Sequence, residues 1–147
     1  MDRLEIYNSI ANAINVYDSS VYVTQRYEPI PESIPCVFVQ QIGKARTLRF
    51  ATLTNTDEQY RRTFEVQVFH TTLNDAYALM EVCEDAFKSL AFFEDLCEPI
   101  DNADQKIARI VARFYAQLGG QQEETPVEPT DNNTQEENTN EVSELQE

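Results

Sequence analysis

The 147-residue chain has the length of one compact domain, and its 41% hydrophobic residues can supply a core. Only one histidine and three glycines are present. These counts exclude a histidine-based metal site or catalytic triad and a glycine-rich phosphate loop. No apolar run approaches the roughly 20 residues of a transmembrane helix, and residues 1–5 lack the features of a signal peptide. We therefore expect a cytosolic start and no membrane contact.

Charge divides the chain into two parts. The net charge is −15, and residues 120–147 contain nine acids and no base. This acidic C-terminal segment has almost no apolar residue to bury, so we expect it to be disordered, as a solubilising appendage or a docking arm. The folded domain is predicted to span residues 1–119. The acidic balance also disfavours binding of nucleic acid through its phosphates.

The first predicted element is an amphipathic helix over Leu4 to Val16. Asp2 is placed to cap this helix, and Glu5 is placed to complete a capping box. The apolar stripe is predicted from helical spacing to comprise Leu4, Tyr7, Ile10, Ala11 and Ile14.

Two strands follow, because β-branched and aromatic residues are concentrated in Ser20–Tyr27 and Cys36–Ile42. Three prolines between positions 29 and 35 predict an extended connector between them. Gly43 is predicted to end the second strand.

The stretch Lys44–Glu58, called the arm below, has weak apolar patterning and is too long for a tight hairpin. We predict a projecting β-arm or loop that takes part in subunit contacts. Its candidate contact residues are Lys44, Arg46, Leu48, Arg49, Phe50 and Leu53. Its cations could instead meet DNA, which the net acidity disfavours.

The strongest patterns lie in the second half of the chain. Tyr60–His70 alternates as a strand, and Asn74–Ala91 has the apolar stripe of a helix. An irregular strand over Phe92–Ile100 and a strand over Gln105–Leu118 complete the prediction. The polar face of the predicted helix carries three candidate partners for the arm of a neighbouring subunit: Glu81, Glu84 and Asp85.

The predicted order α-β-β-β-α-β-β indicates an α+β domain with two helices on one face of a mostly antiparallel sheet. The last strand places its alanines on the helix side. Its other side is too mixed for a core and too apolar for bare solvent. This side is either an ordinary amphipathic face or a protein–protein contact surface, formed by Arg109, Val111, Arg113 and Tyr115.

No catalytic, metal or cofactor site is expected. Cys36, Cys83 and Cys97 are odd in number and widely spaced, so they are interpreted as reduced, buried thiols. His70 is interpreted as structural. Several carboxylates lie close together in the chain and could serve acid–base or metal chemistry, although a solvated turn explains them as well. They are Asp95, Glu98, Asp101 and Asp104.

Three stretches together resemble the tail terminator, or tail completion, proteins of long-tailed bacteriophages, also known as minor structural or head–tail joining proteins. The first is Tyr22–Val39, which ends in the residues IPCVFV. The second is YRRTFEVQVFH running into the helix at Asn74–Leu90, and the third is LCEPIDN followed by IARIVARFY. The resemblance covers nearly all of residues 4–118, and the acidic C-terminal segment lies outside it.

The resemblance implies a non-enzymatic subunit that forms a ring, usually a hexamer, at the head-proximal end of a tail. Such a ring stops polymerisation of the tail-tube protein and presents a surface to the head-side connector protein. DNA passes through its channel without sequence-specific binding. The implied location is therefore the virion, after assembly in the host cytoplasm.

Two other functions fit the same residues. The sequence does not separate a tail terminator from a head-side adaptor or stopper of the connector, and co-purification with tails or with filled heads would distinguish the two. A cytosolic module that binds a host partner through its free sheet face would be a monomer rather than a ring.

Overall fold

The computed structural model describes residues 1–46 and 60–118. It contains two helices and five strands. In chain order they are α1 (Arg3–Tyr17), β1 (Tyr22–Thr24), β2 (Cys36–Arg46), β3 (Tyr60–His70), α2 (Leu73–Ser89), β4 (Phe93–Pro99) and β5 (Ala108–Leu118). The arm beyond residue 46 and the predicted acidic C-terminal segment lie outside the described residues.

The strands form one sheet in the order β1-β2-β3-β5-β4. β1 runs parallel to β2, and every other neighbouring pair is antiparallel. Both helices pack on one face of the sheet and on each other, which buries a single core between the two layers. The predicted α+β class and element order are confirmed. None of the described helices has the length and hydropathy needed to cross a membrane.

The predicted capping box begins α1. Asp2 Oδ1 accepts a hydrogen bond from the Glu5 backbone N–H at 2.8 Å, and Glu5 Oε2 accepts one from the Asp2 backbone N–H at 2.6 Å. The predicted stripe was wrong in one place. Leu4 is 52% exposed, whereas Ile6 is fully buried with Ile10 and Ile14. Two residues span about 200° of helical rotation, so Leu4 and Ile6 lie on opposite sides of α1.

Three strands have boundaries that differ from the prediction. The last strand begins at Ala108 rather than at Gln105, because the chain forms a turn at residues 105 and 106. The first strand is only three residues long, because the chain after Thr24 turns away from β2 into the proline-rich connector. Gly43 does not end the second strand. β2 runs on to Arg46 through a bulge between Gln41 and Gly43, where one extra residue is accommodated without loss of pairing to β3.

The second helix has a hydroxyl cap, because Thr72 Oγ1 accepts a hydrogen bond from the Asp75 backbone N–H at 3.1 Å. Its buried side contributes Phe87 to a group of aromatic rings in the core. Phe87 contacts the rings of Phe64, Phe92 and Phe114 at centroid distances of 5.8, 5.3 and 4.3 Å. This aromatic contact fixes α2 over the centre of the sheet.

Candidate functional site

The sheet face opposite the helices, called the open face below, is built by alternation along β3 and β5. Phe64, Val66 and Val68 point into the core, so the residues between them point to the open face. In the same way, Ile110 and Phe114 of β5 point inward, and the intervening side chains point outward. The predicted assignment of residues to the two faces is confirmed. On the open face lie Glu65, Gln67, Arg109, Val111, Arg113 and Tyr115.

Four of these side chains form a continuous hydrogen-bonded chain, called the polar ladder below. Arg109 Nη2 donates to Gln67 Oε1 at 2.9 Å, and Gln67 Nε2 donates to Glu65 Oε1 at 2.8 Å. Arg113 Nε donates to Glu65 Oε2 at 3.1 Å, which closes an ion pair. Gln67 is only 5% exposed, and both the oxygen and the nitrogen of its side-chain amide are hydrogen-bonded within the ladder. The two arginines are thereby held in fixed positions across the strands.

One end of the open face is covered by the connector between β1 and β2. The Tyr27 ring meets Phe38 edge to face at 5.7 Å, and the guanidinium of Arg109 lies 5.9 Å from the Tyr27 centroid. A shallow cleft of about 420 Å³ remains here. It is lined by Tyr27, Phe38, Gln40, Glu65, Gln67 and Arg109. Less of the open face is therefore exposed than the sequence indicated.

Val111 illustrates this difference. It was predicted to lie on a contact surface, but it is only 4% exposed in the folded chain. Val111 pairs with Gln67 of β3 on one side and with Glu98 of β4 on the other. Arg109 is half-buried, with its Nε atom unpartnered among the described residues. These two positions serve the fold more than an exposed contact.

The other end of the open face is exposed and aromatic. Phe93 of β4 is 64% exposed, and its ring lies 5.9 Å from that of Tyr115. The Arg61 guanidinium lies 4.4 Å from the Tyr115 centroid on the same face. Exposed Phe, Tyr and Arg side chains in one patch are enriched in protein–protein interfaces. Sequence reasoning missed Phe93 and Arg61, because only the strand register brings them to Tyr115.

On the helix side, Glu84, Glu94 and Cys97 place one potential ligand atom each within 4.8 Å of one another. Burial raises the pKa of Glu84, and the neighbouring Glu94 carboxylate raises it further. Lys88 Nζ, 3.6 Å from Glu84, acts in the opposite direction. Glu84 is half-buried, whereas Glu81 and Asp85 are exposed. The acids predicted on one face of α2 therefore lie in two environments, one half-buried and one exposed to solvent.

The cysteines have the character of packed thiols. Burial raises the pKa of Cys36 and of Cys97 to about 11 and that of Cys83 to about 12. The three thiols are unpaired, and burial favours their protonated form, which is a weak nucleophile. His70 Nδ1 accepts a hydrogen bond from the Thr71 backbone N–H at 2.9 Å. This hydrogen bond fits the predicted structural role of His70.

Of the predicted arm contacts, Lys44 is exposed on β2, and its Nζ lies 4.1 Å from the Tyr60 ring centroid. Arg46 is the last residue of β2. Leu48, Arg49, Phe50 and Leu53 lie outside the described residues. Within one chain, the sheet order places β2 towards one edge of the sheet, and Glu84 of α2 lies near β4 at the other edge.

No protein-family model matches the sequence, and no curated protein matches it. A solved structure does match, and it is a chain from the virion of a native gene transfer agent particle. The two chains share 15% identity with a TM-score of 0.54, over 78% of this chain and 92% of that chain. The fold is shared with a virion protein.

A second solved chain is the sheath/tube terminator of an extracellular contractile injection system in its extended state. It aligns over 99% of this chain and 66% of that chain, with 9% identity and a TM-score of 0.42. This second likeness is too distant to carry a conclusion.

Proposed function

We propose that the protein is a tail terminator, a structural virion protein whose copies form a ring of six at the head-proximal end of a phage tail. The observation that carries this proposal is the fold shared with a gene transfer agent virion chain over 92% of that chain's length. The sequence resemblance to tail terminators, which extends over residues 4–118, supports the same assignment independently of the fold.

In this function the ring stops polymerisation of the tail-tube protein and offers its other surface to the head-side connector protein. The exposed aromatic end of the open face, around Phe93 and Tyr115, has the composition of a contact surface. The polar ladder behind it holds Arg113 in place, so this side chain needs little further ordering on binding.

The remaining contact residues are proposed from the sequence. The cations and apolar side chains of the arm would pack on a neighbouring subunit, near the exposed Glu81 and Asp85 of its α2. DNA would pass through the channel without sequence-specific contacts, because a chain of net charge −15 has little attraction for phosphates. We propose no catalytic activity, cofactor or membrane partner.

The proposal is tested by tube assembly. The tail-tube protein of the same particle is polymerised with and without the full-length chain, and tube lengths are measured by electron microscopy. A terminator is expected to shorten the tubes and to be seen at one tube end. Unchanged tube lengths, with binding to filled heads instead, would contradict the terminator function and support a head-side adaptor. A chain that binds neither structure would favour a cytosolic binding module.

A further inference from the structure

The outer edge of β2 is open for most of its length. β1 pairs only with Cys36–Phe38, which leaves Val39–Arg46 without a strand partner on this side among the described residues. The free segment carries Lys44 and Arg46 and has no acid. An edge of this kind presents unpaired backbone N–H and C=O groups to another strand.

The opposite edge of the sheet is formed by β4, which pairs on its inner side with β5. Its seven residues include Glu94, Asp95 and Glu98, and no base. All three carboxylates are exposed. One edge of the sheet is therefore basic and the other is acidic.

We propose that these two edges pair with each other between neighbouring copies of the chain, so that the sheet continues from one subunit into the next. The proposal rests on the ring proposed above and names the contact that builds it. The partner is a second copy of this chain, because the complementary edge is present on the chain itself.

The strand directions fit this pairing. Three antiparallel steps lead from β2 through β3 and β5 to β4, so β4 runs opposite to β2. A copy that continues the sheet with the same face towards the helices therefore offers its β4 antiparallel to β2. The lengths also agree, since the eight free residues of β2 face the seven residues of β4.

The charges select this combination over the alternatives. Pairing of two β2 edges would bring cations together, and pairing of two β4 edges would bring carboxylates together. Only the mixed pairing joins opposite charges. A contact between two different edges is head-to-tail, the type of contact that forms a closed ring when the rotation between neighbours divides a full turn.

Lys44 and Glu94 are the pair of residues best placed to test the contact between the two edges. Lys44 pairs with Arg62, two positions from the core residue Phe64, and Glu94 pairs with the core residue Phe114. Both side chains therefore lie on the helix side of the sheet. Across a continued sheet they would share one face, where attraction between their charges supports the contact.

Amide hydrogen exchange of the unmodified full-length chain tests the backbone contact. Exchange is compared between a dilute monomeric sample and a concentrated assembled sample. We expect assembly to slow exchange in residues 39–46 and 93–99, since paired amides exchange only when the contact opens. Rings whose two edges exchange as fast as in the monomer would overturn the edge pairing and leave the ring itself intact.

Charge reversal tests the pairing of the side chains. Lys44→Glu is expected to weaken association at least about tenfold, and adding Glu94→Lys in the same chain is expected to restore it. Lys106→Glu, on an exposed turn, is the matched control with the same change in net charge. If K44E associates as well as K106E, or if the second reversal restores nothing, the edge proposal fails. If the unmodified chain never assembles, both this proposal and the ring fail.

Discussion

The ring of Phe87 in α2 stacks on the ring of Phe114 in β5, with centroids 4.3 Å apart and planes inclined by only 5°. Both side chains are fully buried. This contact joins the longer helix to the strand that carries the arginines of the polar ladder. It is one of the core contacts that hold the helix layer on the sheet.

Replacing Phe87 with alanine is expected to lower the free energy of unfolding by about 3–5 kcal/mol, because it leaves a cavity where several rings meet. Chemical denaturation measures this loss. Phe93→Ala is the matched control, since the Phe93 ring is 64% exposed and its loss should change the stability of the monomer by less than about 0.5 kcal/mol. Equal losses in the two variants would show that the aromatic core is wrongly placed.

Glu84→Gln is expected to stabilise the protein at neutral pH. Burial and Glu94 raise the pKa of Glu84 above its ordinary value of 4.5 in the folded state, despite Lys88. The folded chain therefore holds this proton more tightly than the unfolded chain, and stability falls as pH rises from about 4.5 through the raised pKa.

The gain from E84Q should be below about 1 kcal/mol at pH 7, since Glu84 keeps contact with water, and it should shrink towards zero near pH 4. Thermal or chemical denaturation at the two pH values measures it. The exposed Glu81→Gln on the same helix should change little at either pH. A gain from E84Q that is equal at both pH values would contradict a raised pKa.

Removal of residues 120–147 is expected to leave folding intact, because that segment contains almost no apolar residue to pack. A chain ending at Gly119 should unfold within about 0.5 kcal/mol of the full chain in chemical denaturation. A loss of several kcal/mol would show that the acidic C-terminal segment packs on the domain.

The sequence predicted those parts of the fold that depend on local periodicity. Residues 63–68 alternate between polar and apolar side chains, so β3 and its two faces could be predicted together. The continuation of β2 past Gly43 could not be predicted, because the extra residue of a bulge shifts the phase of the alternation between the two faces of the sheet.

The polar ladder was also beyond sequence reasoning. It joins Glu65 to Arg113 across 48 positions of sequence, and only the register of β3 on β5 determines that these side chains meet. Val111 faces outward as predicted, yet only 4% of it is exposed. The sequence could identify which residues faced outward, but it could not show which of them remained exposed.

The arm is expected to be needed for assembly and dispensable for folding. Replacing residues 47–56 with a short Gly-Ser linker removes Leu48, Phe50 and Leu53, whose burial against a neighbour would supply much of the affinity. The variant should unfold cooperatively and remain a monomer. Rings of unchanged size in light scattering would rule out a contact role for the arm and leave the other contacts standing.

The proposed ring is tested by measuring the mass and shape of the purified full-length chain, with light scattering coupled to size exclusion and with negative-stain electron microscopy. A ring of six copies is expected to give a particle of six times the chain mass, seen in end view as a closed ring with a central channel. A monodisperse monomer at every concentration tested, with no ring in the micrographs, would contradict it.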